Sequence, residues 1–187
     1  DSELKDVRIE LTSMDAGTPT TGPNQYLPNC GSNTTNQVGA NGLYCYDKAH
    51  AWHSAPHQVV RNSELVVDFG SGGNVEYVTA DAAGSGQVTG TRKATVKSGH
   101  VQMLVGGTVS VGGTLPEGNF FKETNGIPVI SSEKTTLRVI ENGSVGELHG
   151  GCITSGFGTS EEMGFFTVKG DIDIYVGDNA KVTHFIR

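Results

Sequence analysis

The chain has 187 residues, 27 of them glycine, and 35% are hydrophobic, so a single domain with a thin aliphatic core is expected, or one piece of a longer repetitive protein. Thirteen basic residues against 20 acidic ones leave a net charge of −7 with no basic cluster, which argues against a nucleic-acid partner, because displacing counterions from phosphates takes a basic stripe. No apolar run approaches the roughly 18 residues that would mark a membrane-spanning helix, and for an exported chain the absence of a charged-then-apolar leader before Asp1 implies numbering from after a removed signal.

Helical periodicity is scarce along the chain, and short β-branched alternations cut by Gly, Asn and Asp take its place. The first, "DVRIELT", places Val7, Ile9 and Leu11 on one face of a strand with polar side chains between them. Residues 15–58 then form a stretch far too long for an ordinary connection, read as a loop insertion with functional use. Cys30 and Cys45 bracket the polar segment "CGSNTTNQVGANGLYC". A disulfide between them is expected, restricting the unfolded chain by about 3 kcal/mol and implying an oxidising compartment. Cys152 is left as the odd thiol.

The same insertion carries Tyr26, Tyr44, Tyr46 and the single tryptophan, Trp52, among amides and histidines. Aromatic faces beside hydrogen-bonding amides suit a sugar ring, so Tyr44, Tyr46 and Trp52 are the candidate binding residues for a glycan or a host or cell-surface protein. The plainer alternative is that they form the private core of the loop. "HAWHSAPH" spaces His50, His53 and His57 by three and four residues after Asp47. Pro56 interrupts any helix there and the ligand set is incomplete, so no metal is assigned.

Further along, Leu65, Val67 and Phe69 alternate in "SELVVDFG", Leu137 and Val139 in "TTLRVI", and Ile172, Ile174 and Val176 in "DIDIYVG". Asp171 and Asp173 emerge between the isoleucines and read as solubilising surface carboxylates rather than an acid–base or calcium pair. In "HGGC", His149 and Cys152 lack an identifiable orienting group, so no catalytic pair is assigned. Asn33-Thr34-Thr35 and Asn142-Gly143-Ser144 match the N-glycosylation pattern.

One sentence is written more than once. "SGHVQMLVGG" (98–107) returns as "NGSVGELHGG" (142–151), 44 residues later, and "ATVKSGHVQMLVGG" aligns without a gap on "RVIENGSVGELHGG". The shared valine recurs at Val75, Val101, Val145 and Val182, spaced by 26, 44 and 37 residues. Self-similarity on this scale marks stacked coils, in which equivalent slots hold the same kind of side chain and glycine supplies the corners. A hairpin explains one such pair but not the Gly-Gly exit at one fixed distance.

The pattern in "VTGTRKATVKSGHVQMLVGG", "TTLRVIENGSVGELHGG" and "VKGDIDIYVGDNAKVTHFIR" resembles the glycine-rich repeats of large adhesin-like bacterial surface proteins, over about residues 59–187. The resemblance implies an extracellular parallel β-solenoid with attachment or structural roles, and it carries no catalytic residues. The chain departs from the pattern in losing Gly-Gly after the third unit and in its insertions at 15–58 and 108–133. A chain ending on the strand-like "KVTHFIR" is expected to be a fragment, or an edge available for self-association.

The fold expected is therefore all-β: one right-handed parallel β-helix-like solenoid across 1–187 with the insertion 15–58. The alternative is an antiparallel β-sandwich like those of pilin or capsid subunits. The function expected is a non-enzymatic, extracellular or cell-surface adhesive protein without cofactor. Its alternatives are a self-assembling fibre or pilus subunit and a polysaccharide lyase or hydrolase. A groove lined by Lys, Arg and carboxylates from neighbouring coils would mark the enzyme, and no such clustering is visible along the chain.

Overall fold

A computed structural model describes residues 4–12, 34–40, 42–47, 59–70, 73–81, 87–107, 109–111, 129–151, 153–155 and 167–187, and all regular structure among them is strand. Among these residues no helix is long and apolar enough to cross a membrane. The strands are β1 (Leu4–Leu11), β2 (Thr34–Gly39), β3 (Gly42–Asp47), β4 (Val59–Asp68), β5 (Asn74–Thr79) and β6 (Gln87–Val105). They continue with β7 (Val109–Val111), β8 (Val129–His149), β9 (Ile153–Ser155), β10 (Thr167–Val176) and β11 (Lys181–Ile186).

Strand β6 pairs with β4 along its first half and with β5 along its second, while β8 flanks both halves. β8 carries β10 on its first half and β11 on its second. With β1 beyond β4, and β2 and β3 beyond β5, nine strands form one curled sheet. Every ladder is parallel except the β2–β3 hairpin, and β7 pairs with β9 as a separate parallel pair. The all-β expectation holds. Parallel ladders do not build the antiparallel sandwich held as the alternative, because hairpin-connected neighbours must run in opposite directions.

The described chain passes over itself in successive tiers: β1 with β2, β4 with β5, then β6, β8, and β10 with β11. The spacing of the repeated valine is the register of these tiers. Val75 lies opposite Val101, Val101 opposite Val145, and Val182 opposite Val145. Val75, Val101 and Val145 are buried, as are Val78, Leu104 and Leu148, which form the next column. On the other arm Leu65, Ala94 and Leu137 form one buried column and Val67, Val96 and Val139 another. Each column buries like against like, so one aliphatic core runs through all the tiers.

The gapless alignment of 94–107 on 138–151 is corrected by one residue. It holds from Ser98, opposite Asn142, onward, but earlier Ala94 faces Leu137 and Val96 faces Val139, not Arg138 and Ile140. Strand β8 carries one residue more at its bend, and Glu141 takes a φ of 54° there. Without that bulge Arg138 and Ile140 would fall on the core face.

Two bends curl the sheet. At the first, Asp6, Asn62, Gly90 and Gly170 all adopt positive φ, from 51° to 93°, at matching levels of β1, β4, β6 and β10. Asp and Asn are the side-chain-bearing residues that best tolerate this conformation. Here they also bond between tiers: Asn62 Nδ2 donates to Asp6 Oδ1 at 2.9 Å, and Asn62 Oδ1 accepts from the Thr91 amide at 3.0 Å. At the second bend Ser98 Oγ donates to Asp68 Oδ1 at 2.6 Å and accepts from the Gly70 amide at 2.7 Å.

The Gly-Gly exits have their reason in close stacking. A Cβ on Gly106 would meet the carbonyl oxygen of Gly150, and the Gly106 amide donates to His149 O at 2.8 Å. Inside, polar groups interrupt the aliphatic columns. Arg92, fully buried, donates from Nη1 to Asp81 Oδ2 at 2.9 Å and from Nε to Thr135 Oγ1 at 3.2 Å. Asp81 Oδ1 accepts from the Val88 amide at 2.8 Å, and Thr79 Oγ1 donates to Gly107 O. This pair ties the start of one tier to the end of the tier below it.

Candidate functional site: the outer groove at the first bend

Strand alternation sends Val7, Ile9 and Leu11 toward the interior and Arg8 and Glu10 toward solvent, and the same parity applies in the tiers stacked on β1. Across the tiers the outward position just past the first bend reads Arg8, Glu64, Lys93, Thr136 and Asp173 in direct register. The result is a ladder of alternating charge. Arg8 Nε lies 3.4 Å from Glu64 Oε2, Lys93 Nζ lies 2.8 Å from Glu64 Oε1, and Lys134 Nζ lies 2.6 Å from Asp173 Oδ2. Arg8 also donates to Glu10 at 2.8 Å.

The bend and this ladder enclose an open groove of about 460 Å³. Its walls hold Asp6, Arg8, Asn62, Glu64, Thr91, Lys93, Lys134 and Thr136, over buried Ser63 and Arg92. The hydrogen bond from Lys93 is the main reason that the Glu64 carboxyl sits below the ordinary carboxylate range, with the charges of Lys93 and Arg8 adding to it and partial burial opposing it. Lys134 is raised above its ordinary value by the hydrogen bond and charge of Asp173, and Arg8 by Glu10. These shifts favour the charged forms of Glu64, Lys134 and Arg8, and Asn and Thr hydrogen-bonding groups stand among them along the groove.

Sequence reasoning missed this cluster, whose members β1, β4, β6 and β8 contribute from positions 56, 29 and 41 residues apart. The usable signal was present. Arg8, Glu64, Lys93, Thr136 and Asp173 each precede an aliphatic of one column, namely Ile9, Leu65, Ala94, Leu137 and Ile174. Aligning tiers on that column, instead of on the Gly-Gly exit, gathers the charges.

Tyr44 and Tyr46 lie on β3 opposite Gln37 and Thr35, and Cys45 opposite Asn36. Trp52, Cys30, Cys152, Tyr26, His50, His53, His57 and Asn33 lie outside the described residues. The Cys30–Cys45 disulfide and the HGGC pairing therefore have one partner each outside them. His149 turns to Glu147, Nε2 to Oε2 at 3.1 Å, with its ring edge-on to Phe185. Asp173 is the partner of Lys134, which fits the surface role read for it. On the same outer face as His149, His100 Nδ1 meets Ser144 Oγ at 3.0 Å and its other nitrogen lies 3.5 Å from Gln102 Oε1, a side-chain amide that holds no charge against an imidazolium. Among the described residues no three His, Cys, Asp or Glu side chains converge as metal ligands.

Comparison with family models, with curated proteins and with solved structures finds no match to this chain.

Proposed function

We propose that this chain is an extracellular structural and adhesive surface protein, a right-handed parallel β-solenoid that holds loops out for binding a glycan or a cell-surface protein. The observation that carries the reading is the in-register stacking of aliphatic columns over successive parallel tiers. Such stacking makes a stiff scaffold whose tiers tolerate long insertions between them. The intervals 13–33, 48–58, 112–128 and 156–166 fall between described strands, and the likeness of the repeats to glycine-rich adhesins supports the same reading. Tyr44 and Tyr46, carried by strand β3 of the β2–β3 hairpin, and Trp52 are its contact residues.

The test is a glycan array and a cell-adhesion assay with Tyr46→Ala and Trp52→Ala. Loss of binding in variants that melt like the parent is the expected result; unchanged binding overturns the loop assignment. Denatured, unreduced protein is expected to titrate with one free thiol, Cys152, as befits an oxidising compartment. The groove at the first bend gathers Lys, Arg and carboxylates from neighbouring tiers, the feature named above for a polysaccharide lyase or hydrolase, and release of reducing ends from a polysaccharide would move the reading there.

A second reading, a self-assembling fibre or pilus subunit, draws on the last tier. Ile172, Ile174, Val176 and Ile186 are 38–51% exposed there, and β10 and β11 pair, among described strands, with β8 alone. An open edge with an aliphatic face invites strand addition. Sedimentation and electron microscopy of the parent beside Ile172→Lys and Ile174→Lys decide it: assemblies lost in the variants support the subunit, and a parent that stays monomeric at high concentration removes it.

A further inference from the structure

We propose that the last tier docks on the last tier of a second copy of this chain, β10 pairing antiparallel with its counterpart about a two-fold axis at Ile174. The proposal rests on the same open edge as the fibre reading above and deepens it by naming the partner: a closed pair of copies, with no further growth.

The two ends of the stack differ. At the last tier Ile172, Ile174 and Val176 continue the inward columns of Thr135, Leu137 and Val139, yet they stand exposed. Among the described strands β10 has β8 as its one neighbour. At the first tier the corresponding Ile9 and Leu11 are partly buried against the core, and Val7 against the cluster of Ala40, Val60 and Val88. There the hairpin adds β3 to the edge of β2, antiparallel. A copy stacked head-to-tail would bring its β10 onto β1 and its β11 onto β2, the place that β3 holds.

Charge also disfavours head-to-tail stacking. Ile172, Thr135, Arg92, Ser63 and Val7 share one level, so the residues just before the two ends, Asp171 and Asp6, would face each other. Like charges directly opposite across a ladder are destabilising. Asp173 would meet Arg8, but Arg8 is already held by Glu10 and Glu64.

A two-fold axis meets neither obstacle. Side-chain parity allows only registers that set inward residues opposite inward ones. With the axis at Ile174, this residue faces its own counterpart, Ile172 faces Val176 of the second copy, and Asp173 faces Tyr175. Moving the axis to Asp173 sets that carboxylate against itself, and moving it to Tyr175 pushes Ile172 past the end of the opposing strand at Val176. Each Asp173 enters the pair already bound to Lys134 at 2.6 Å. The β10 ladder runs without a break from Asp171 to Val176, whereas β11 shifts register between Val182 and Phe185 and starts at Lys181. Irregularity and lysine blunt an edge, so β10 is the pairing strand. The aliphatic columns then end against aliphatic side chains instead of water, in an isologous contact that closes at two.

Sedimentation velocity over a concentration series tests the proposal, with hydrogen exchange of the parent at both ends of the series. The expected result is a monomer–dimer equilibrium that grows no further, with exchange slowing through β10 as the dimer forms. Ile174→Lys sets two cations on the axis and is expected to raise the dimer dissociation constant about tenfold or more. Ile174→Leu is expected to keep it, and Arg8→Glu, at the far end of the stack, to leave it unchanged. Assemblies that lengthen with concentration support the fibre and overturn the closed pair, and a parent monomeric at every concentration overturns both. Dimers that persist in Ile174→Lys, or whose new protection falls on β1 and not on β10, also overturn the proposal.

Discussion

Arg92 shows most clearly how one side chain is committed by its surroundings. It is fully buried in the column that holds Ser63 and Thr135, and its guanidinium spans the interior to Asp81. Replacing it with Met leaves the Asp81 carboxylate buried without its ion-pair partner. The expected cost is about 3–5 kcal/mol, measured by urea denaturation. Glu141 makes the opposite case. It holds a φ of 54° on an exposed bulge, a conformation that costs a side-chain-bearing residue about 1–2 kcal/mol. Glu141→Gly relieves that strain and adds backbone entropy to the unfolded chain, so a net gain of about 0.5–1 kcal/mol is expected in the same assay.

At the scale of elements, the bends are held by polar groups whose protonation matters. The Asp68 carboxyl is lowered first by the hydrogen bond from Ser98 and then by Lys97, and Glu64 first by that from Lys93. A depressed folded pKa contributes stability that is complete above the unfolded value of about 4 and is lost as pH falls through the lower folded value. The melting temperature is therefore expected to hold from neutral pH to about pH 5 and to decline below it, modestly, since these groups are partly exposed. Ser98→Ala is expected to shrink the decline, because it removes the largest cause of the Asp68 shift. Lys97 and Lys134 are raised by their partners, so their contribution is full at neutral pH and fades only in strong alkali.

For the whole molecule, the ladders among the described strands join each tier to the next, and stability is expected to resemble a sum of tier and interface terms. β6 and β8 have paired strands on both sides along both arms, whereas among the described strands β1, β3, β10 and β11 have one neighbour each. Native-state hydrogen exchange is expected to be slowest at Ala94–Val96, Val101–Val105 and Leu137–Val139 and faster through the single-neighbour strands β1, β3, β10 and β11. Uniform protection across the tiers would contradict a nearest-neighbour stack.

Whereas β2 and β3 fall inside the stretch read as a loop, the sequence by itself determined the inward aliphatic positions of β1, β4, β6, β8 and β10 and the recurrence of one valine. These follow from local alternation and from the demand that stacked slots hold like side chains. Ile172, Ile174 and Val176 kept the inward pattern, yet they are partly exposed, because burial needs a tier on each side and the pattern says nothing of neighbours. The one-residue bulge at Glu141, the Arg92–Asp81 pair and the charged groove were decided only by the tertiary structure, which also chose the expected parallel pairing over the antiparallel alternative. Each depends on which residues stand opposite one another across tiers. That register is set by the bends and by total packing, and no window along the chain contains it.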